Sequence, residues 1–140
     1  MNRFVLGLGS NINPRSNIRL AIDALSRHFT IGAASRLVQT KPLGYTRQSD
    51  FLNGALLLTS DRDRADVEAL LRAVEHDLGR RRTANRNAPR TIDLDMVVWN
   101  NQLVDDDYYD RKFLRTAVRE VLPGFYPHRC ALPARHTSTP

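Results

Sequence analysis

The sequence contains little cysteine, little lysine and no long apolar run. Its single cysteine, Cys130, excludes an internal disulfide bond and a cysteine-rich metal site. Only Lys41 and Lys112 are lysines, so arginine supplies nearly all of the basic charge. No apolar stretch reaches the length needed to cross a membrane, and the first residues already have the pattern of a strand. We therefore expect no signal peptide, no membrane partner and a cytoplasmic location.

Length and composition are typical of an ordinary globular domain. The chain has 140 residues, of which 41% are hydrophobic and 26% are charged, so it can bury a substantial core. A net charge of +6 admits three classes of partner: nucleic acid, an anionic membrane surface or a small anionic substrate. The local cluster of arginines at 80–90 is more informative than the total charge.

The segment 79–99 combines arginines with paired acids. Arginine occupies positions 80–82, 86 and 90, and its guanidinium group binds phosphate oxygens through paired hydrogen bonds. Residues 92–99 then have the pattern of a buried strand, in which Asp93 and Asp95 point to the same side. Two such acids repel each other unless a cation lies between them or one stays protonated. Because Mg²⁺ prefers carboxylate and phosphate oxygens, the segment indicates a metal–nucleotide site.

Hydrophobic periodicity predicts the element order β-α-β-β-α-β. The predicted strands are at 4–9, 30–40, 51–59 and 92–99. The first predicted helix runs from Ser16 or Asn17 to Phe29. The second is capped by Asp63 and runs to Leu78. This order predicts an α+β, ferredoxin-like sheet with both helices on one face.

The rest of the chain carries weaker patterns. Residues 102–104 are predicted to form a short edge strand, 105–110 an acidic loop and 115–121 a last short helix. We expect one domain at 1–124. It is followed by a short C-terminal extension at 125–140, which we expect to be a proline-rich and partly disordered tail.

Three residues admit more than one interpretation. Gly7 and Gly9 lack the third glycine of a dinucleotide-binding fingerprint, so close packing in a strand is the better interpretation. Asn53, near the start of a buried strand, must find hydrogen-bond partners. It either satisfies neighbouring backbone groups or recognises the polar edge of a ligand.

Several motifs, taken together, resemble one enzyme family. The most specific is Ala88-Pro89-Arg90, followed after two residues by Asp93-x-Asp95. Shorter matches are Leu8-Gly9-Ser10-Asn11, Pro42-Leu43-Gly44, Asp50-Phe51-Leu52-Asn53, Glu75-x-x-Leu-Gly-Arg80 and Arg111-Lys112-Phe113. In order and content, these motifs resemble the 6-hydroxymethyl-7,8-dihydropterin pyrophosphokinase family, which transfers a diphosphate from ATP to a pterin alcohol.

The resemblance implies a role for each matching position. Asp93 and Asp95 would hold two Mg²⁺ ions against the ATP phosphates. ATP would contact Glu75, Arg80, Arg82, Arg90 and Arg111, of which Arg80, Arg82 and Arg90 are the expected catalytic residues. The flat pterin would bind to Pro42, Leu43, Gly44, Phe51, Asn53 and Phe113, with Phe51 and Phe113 stacking on its faces. The expected partners are these two small molecules and no nucleic acid, and the protein is expected to be a monomer.

The segment after the acidic strand departs from the family pattern. It is short and acidic, and no histidine lies between His76 and His128, where the family has one that reaches the phosphates. The aspartates at 105–107 would be unfavourable beside a polyphosphate unless they face away or bind metal. This departure leaves open a divergent paralogue that acts on a related hydroxymethyl pterin or lacks full activity. A second alternative is a ferredoxin-like RNA-binding module, which would need exposed aromatic and basic residues on its sheet.

Overall fold

The computed structural model describes residues 1–42, 48–79 and 91–127. Its strands are β1 (Asn2–Ser10), β2 (Thr30–Ala34), β3 (Val38–Thr40), β4 (Phe51–Ser60), β5 (Asp93–Trp99) and β6 (Gln102–Leu103). Its helices are α1 (Pro14–Ser26), α2 (Arg64–Asp77), α3 (Asp107–Asp110) and α4 (Lys112–Val121). Across these three described ranges, no helix has both the length and the apolar character needed to cross a membrane.

The strands form one antiparallel sheet in the order β2-β4-β1-β5-β6, and β3 also pairs with β4. Strand β1 therefore lies in the middle, between β4 and β5. Asn100 and Asn101 have positive φ angles of 47° and 66° and make the tight turn between β5 and β6. The predicted α+β, ferredoxin-like arrangement is confirmed.

The single strand predicted at 30–40 is wrong, because the chain forms two strands there. The N–H of Ser35 donates to the carbonyl oxygen of Ala55 at 2.9 Å, and the N–H of Ala55 donates to Ser35 Oγ at 2.8 Å. A hydroxyl thus replaces a backbone carbonyl in the ladder. The chain bends at this point and passes from β2 into β3.

Helices α1 and α2 pack on one face of the sheet, as predicted, and we name this the first face. Their buried residues join the apolar side chains of three strands in one core cluster. The members on the helices are Ile18, Ala21, Leu25, Val67, Leu71 and Val74, and those on the strands include Phe4, Leu6, Leu8, Leu56, Leu58, Leu94 and Met96.

The two helices begin differently. The predicted start of α1 at Ser16 or Asn17 is wrong, because the helix begins at Pro14, after Asn13 in the left-handed conformation (φ 42°). Proline suits a first helical position, since its φ is already set and its missing N–H would have no partner there. Helix α2 begins as predicted, because the Asp63 carboxylate accepts a hydrogen bond from the N–H of Asp66 at 2.9 Å.

Helix α4 packs on the opposite face of the sheet, which we name the second face. Its buried residues Leu114, Ala117, Val118 and Val121 form a separate cluster with side chains from the strands, among them Val5, Ala55 and Val97. The predicted helix at 115–121 is therefore present but begins at Lys112, and the loop predicted at 105–110 contains the single turn of α3. The C-terminal part of the domain thus forms a third layer.

The domain boundary stays a prediction. Phe125, the first residue of the predicted tail, packs into the second-face cluster and is only 8% exposed. Residues 128–140, which make up most of the predicted tail, lie outside the described part of the chain.

Candidate active site

Three strands bring a polar row together on the second face. Gly9 of β1 pairs with Asn53 of β4 on one side and with Asp93 of β5 on the other. Residues directly paired across strands carry their side chains on the same face. Asn53, Gly9 and Asp93 therefore lie side by side. Because their strands are far apart in the sequence, the sequence alone does not show this proximity.

Helix α4 covers the next row of the same face. Gly7 pairs with Ala55 and with Asp95. A Cβ atom at Gly7 would lie 3.4 Å from the side chains of both Leu114 and Val97, so the helix packs directly against this row. Asn53 and Asp93, one row further along, keep part of their surface exposed.

The absence of a side chain at Gly9 makes room for the Asn53 amide. A Cβ atom at Gly9 would lie 2.7 Å from Asn53 Oδ1, closer than such atoms approach each other in proteins. Asn53 Nδ2 donates a hydrogen bond to Thr40 Oγ1 at 2.5 Å. The amide nitrogen is thus held by β3, while its oxygen is directed over β1 towards the Asp93 side of the row.

The two predicted metal ligands interact strongly. The pKa of Asp95 is raised to about 8, first by burial and then by the charge of Asp93 and a hydrogen bond between the two carboxyl groups. Two carboxyl groups can share a hydrogen bond only while one of them is protonated. The arrangement therefore matches the protonated form of the acid pair inferred from the sequence.

A third carboxyl group approaches this pair. After β6 the chain runs back beside β5, where the N–H of Val104 donates to the carbonyl oxygen of Val97 at 2.8 Å. Asp105 follows and helps to raise the pKa of Asp95, and burial raises the pKa of Asp105 as well. Asp105 accepts a hydrogen bond from the N–H of Asp107 at 3.0 Å. At least one aspartate of the 105–107 cluster therefore lies near the site.

The donor set fits a hard divalent cation. Asp93 and Asp95 offer carboxylate oxygens from one side of one strand, and a divalent cation favours the ionised form of both. Residues 105–107 can bring carboxylate oxygens within 4.8 Å of one another close by. Mg²⁺, which prefers such ligands and retains positions for phosphate oxygens, is a suitable occupant.

Helix α2 holds the peptide groups between the two aspartates. Glu75 Oε2 accepts a hydrogen bond from the N–H of Leu94 at 2.7 Å, and Arg72 Nη2 donates to the carbonyl oxygen of Leu94 at 3.0 Å. Arg72 Nη1 also donates to Glu75 Oε1 at 2.7 Å. Glu75 is only 2% exposed, so the predicted ATP contact is a buried residue that contacts the acidic strand.

The two predicted stacking residues lie on the same side of the sheet. Phe51 lies at the start of β4, where it pairs with Thr40. Because side chains alternate between the two faces along a strand, Phe51 shares the second face with Asn53, two residues further on. Phe113, in the first turn of α4, packs against the second-face cluster. Both rings are half-buried, so each keeps a surface for a ligand.

The other predicted contacts fall at the edges of the site or outside the described residues. Pro42 follows β3 and is half-buried. Arg111 joins α3 to α4, with its Nη2 3.6 Å from Asp107 Oδ2 in a partly exposed ion pair. The predictions for Leu43, Gly44, Arg80, Arg82 and Arg90 fall outside the described residues.

Four residues of the site were not predicted as functional. Thr40 and Arg72 act through contacts with residues distant in sequence, and no local pattern marks them. Gly9 was predicted to allow close packing, and it does so for the Asn53 amide. Asp105 carried a signal, since three aspartates follow each other in a short segment. Its proximity to Asp95 becomes visible only when β6 turns the chain back along β5.

Comparison with known proteins identifies one family. The family model described as 7,8-dihydro-6-hydroxymethylpterin-pyrophosphokinase matches residues 5–123. Three relatives are each named 2-amino-4-hydroxy-6-hydroxymethyldihydropteridine pyrophosphokinase. The protein from Bacillus subtilis is 31% identical over 127 residues, covering 83% of this chain and 75% of the relative. The protein from Pseudomonas aeruginosa is 37% identical, covering 75% of this chain and 66% of the relative, and that from Helicobacter pylori is 34% identical, covering 74% and 66%.

The matched region begins within β1, ends beyond α4 and includes all the described strands and helices between them. The chain spans about two thirds to three quarters of the length of these three relatives. The chain therefore belongs to the 7,8-dihydro-6-hydroxymethylpterin-pyrophosphokinase family.

Proposed function

We propose that the protein transfers a diphosphate group from ATP to the hydroxymethyl group of 6-hydroxymethyl-7,8-dihydropterin and releases AMP. The observation that carries this proposal is the row of Asn53, Gly9 and Asp93 across three adjacent strands. Two strand spacings, about 10 Å, separate the amide from the carboxylate. A flat pterin ring over Gly9 would therefore extend from the Asn53 amide, which would bind its polar edge, to Asp93, which would hold the metal.

The pterin half of the site is proposed to recognise shape and hydrogen bonding separately. The half-buried rings of Phe51 and Phe113 offer flat apolar surfaces for the two faces of the pterin. The Asn53 amide reads the polar edge, and the hydrogen bond to Thr40 fixes its orientation. Pro42, with Leu43 and Gly44, would complete the edge contacts from the segment after β3.

The nucleotide half is proposed to depend on charge. Two Mg²⁺ ions held by Asp93 and Asp95 would neutralise and orient the phosphate groups. Arg80, Arg82 and Arg90 would bind the charge that develops as the bond between the α- and β-phosphates breaks, and Arg111 would add a further guanidinium group beside Phe113. The hydroxymethyl oxygen of the substrate attacks the β-phosphorus, so the protein supplies no nucleophile.

Glu75 has a different relation to the nucleotide. Its carboxylate is buried and engaged by Leu94 and Arg72. We therefore propose that it serves ATP binding through the acidic strand. The monomeric state and the cytoplasmic location stay predictions from the sequence.

The decisive assay follows AMP formation by purified protein with ATP, Mg²⁺ and the reduced pterin alcohol. We expect AMP only when both substrates are present. Asp93→Ala should abolish it without changing the far-ultraviolet circular dichroism spectrum, whereas Asp61→Ala, at an exposed turn, should behave as wild type. Pterin binding without AMP would favour the divergent paralogue. Absence of pterin binding, together with salt-sensitive RNA binding, would reject the enzyme.

A further inference from the structure

Strand β5 is supported differently along its length. Towards its end, Val98 and Trp99 pair with Leu103 and Gln102 of β6. At Leu94, the edge of β5 that faces away from β1 pairs with no strand in the described part of the chain. Unpaired backbone groups at such a position must be satisfied by water or by side chains.

The side chains of Arg72 and Glu75 take the place of the missing strand. Glu75 accepts from the N–H of Leu94 at 2.7 Å and Arg72 donates to its carbonyl oxygen at 3.0 Å, while the two side chains bond to each other at 2.7 Å. Both polar backbone groups of Leu94 are thereby fixed. Only the fork of a guanidinium group reaches the carboxylate and the carbonyl at the same time.

The location of this contact is informative. Leu94 lies between Asp93 and Asp95, so the two fixed groups belong to the peptide bonds that join it to each aspartate. Glu75 is 2% exposed, whereas the side chain of Arg72 is 42% exposed. Burying a carboxylate costs free energy even when it is paired, and water screens an ion pair whose other member is half-exposed. A contribution to stability alone is therefore a weak explanation for this pair.

We propose that Arg72 and Glu75 are positioning residues, which hold Asp93 and Asp95 in the relative placement that a divalent cation requires. This inference rests on the proposed function, in which these two aspartates bind the metal that accompanies ATP. It assigns Arg72 a role in metal binding without direct contact with the metal or the substrates. Loss of the pair weakens metal binding and leaves pterin binding unchanged.

The test compares two Arg–Glu pairs on the same helix. Arg72→Ala removes the contact with Leu94, whereas Arg64→Ala breaks the Arg64–Glu68 pair, which is partly exposed at 3.2 Å. For Arg72→Ala, we expect the Mg²⁺ concentration for half-maximal AMP formation to rise at least about tenfold, as for other outer-shell residues of metal sites. The KM for the pterin should not change. Arg64→Ala should change neither quantity by more than about twofold.

A second measurement does not depend on turnover. Mn²⁺ binding in the presence of α,β-methylene-ATP, whose α–β bridge resists cleavage, is followed by the electron paramagnetic resonance signal of free Mn²⁺. Arg72→Ala should weaken Mn²⁺ binding at least about tenfold. Arg72→Lys, which retains the charge but cannot bridge both partners, should give an intermediate value and serves as the readout if Arg72→Ala does not fold.

Several outcomes would overturn the inference. A purely structural pair would lower the melting temperature of Arg72→Ala and leave Mg²⁺ dependence and Mn²⁺ binding as in Arg64→Ala. An equal rise in the KM for the pterin would indicate general distortion of the site. If wild-type protein binds Mn²⁺ with the analogue but forms no AMP, the reaction is rejected, and equal Mn²⁺ binding by Arg72→Ala and Arg64→Ala then overturns the positioning role. Wild-type protein that does not bind Mn²⁺ with the analogue would reject both.

Discussion

The second face of the sheet has two ends with opposite character. At the covered end, under α4, the strands contribute Val5, Leu57 and Val97. At the site end, four residues along the same strands, they contribute Gly9, Asn53 and Asp93. The first face shows no such change within the described residues, because α1 and α2 cover it with apolar contacts.

The intermediate row shows how one end passes into the other. Gly7 and Ala55 carry little or no side chain there, so Leu114 of α4 packs close to the sheet. Asp95 lies in the same row, and burial is the first cause of its raised pKa. Position along a strand thus separates stability from chemistry, and each prediction below tests that separation.

The largest effect is expected at the acid pair, where the intermediate row meets the site end. Asp95→Ala should lower kcat/KM about 10³-fold or more, because the carboxylate is needed to hold the metal that stabilises charge in the transition state. Stability should be unchanged or higher, since a poorly solvated acid is removed. AMP formation and urea denaturation measure the two quantities. Retention of a tenth of the wild-type activity would place the metal elsewhere.

The covered end should respond in the opposite way. Val97→Ala, two residues along the same strand, should lower the free energy of unfolding by about 2–3 kcal/mol, because it leaves a cavity under α4. Activity per folded molecule should stay within about threefold of wild type. Val38→Ala, at a side chain that is 41% exposed, is the matched control and should change stability by less than about 0.5 kcal/mol. Equal losses of activity at Val97 and Asp95 would contradict the separation.

Local pattern was sufficient for most of the elements and for the acid pair. The helical spacing of Ile18, Ala21 and Leu25 predicted α1, and strand alternation predicted that Asp93 and Asp95 share a side. Alternation gives the face of a residue within its own strand but not the neighbouring strand or its register. The row of Asn53, Gly9 and Asp93 therefore could not be predicted.

Two further features depend on contacts that sequence does not show. Arg72 reaches the carbonyl oxygen of Leu94 across 22 positions, and helical periodicity alone marks Arg72 only as a surface residue. The sequence at 115–121 predicts a short helix. It does not say which face of the sheet α4 covers, because both faces carry apolar residues.

A smaller effect is expected from the protonation of the acid pair. In the absence of divalent metal, folding raises the pKa of Asp95 from 3.8 to about 8. The folded state then binds more protons than the unfolded state between these values, so this group lowers stability as pH rises from 4 to 8. Asp95→Asn should remove that dependence.

The measurement is the difference in the free energy of unfolding between Asp95→Asn and wild type as a function of pH. We expect the variant to be more stable than wild type at pH 8 and nearly equal to wild type at pH 4. Added Mg²⁺ should stabilise the wild type at pH 8 and leave the variant less affected. A difference that does not change with pH would mean that Asp95 is solvated in the folded protein.

The smallest effect tests how finely the site end is tuned. Thr40→Val keeps the shape of the side chain but removes the hydroxyl that accepts from Asn53 Nδ2. The amide then loses its fixed orientation over Gly9, and we expect the KM for the pterin to rise about tenfold, the value of one hydrogen bond of ordinary strength. Thr40→Ser keeps the acceptor and should restore the wild-type KM, while Thr59→Val, on the same sheet outside the site, should leave it unchanged.

The KM for ATP should be the same in all three variants, since the hydroxyl contacts the pterin half alone. If Thr40→Val raised both KM values together, Thr40 would support the sheet as a whole, and the division between the two halves of the site would be lost at this position.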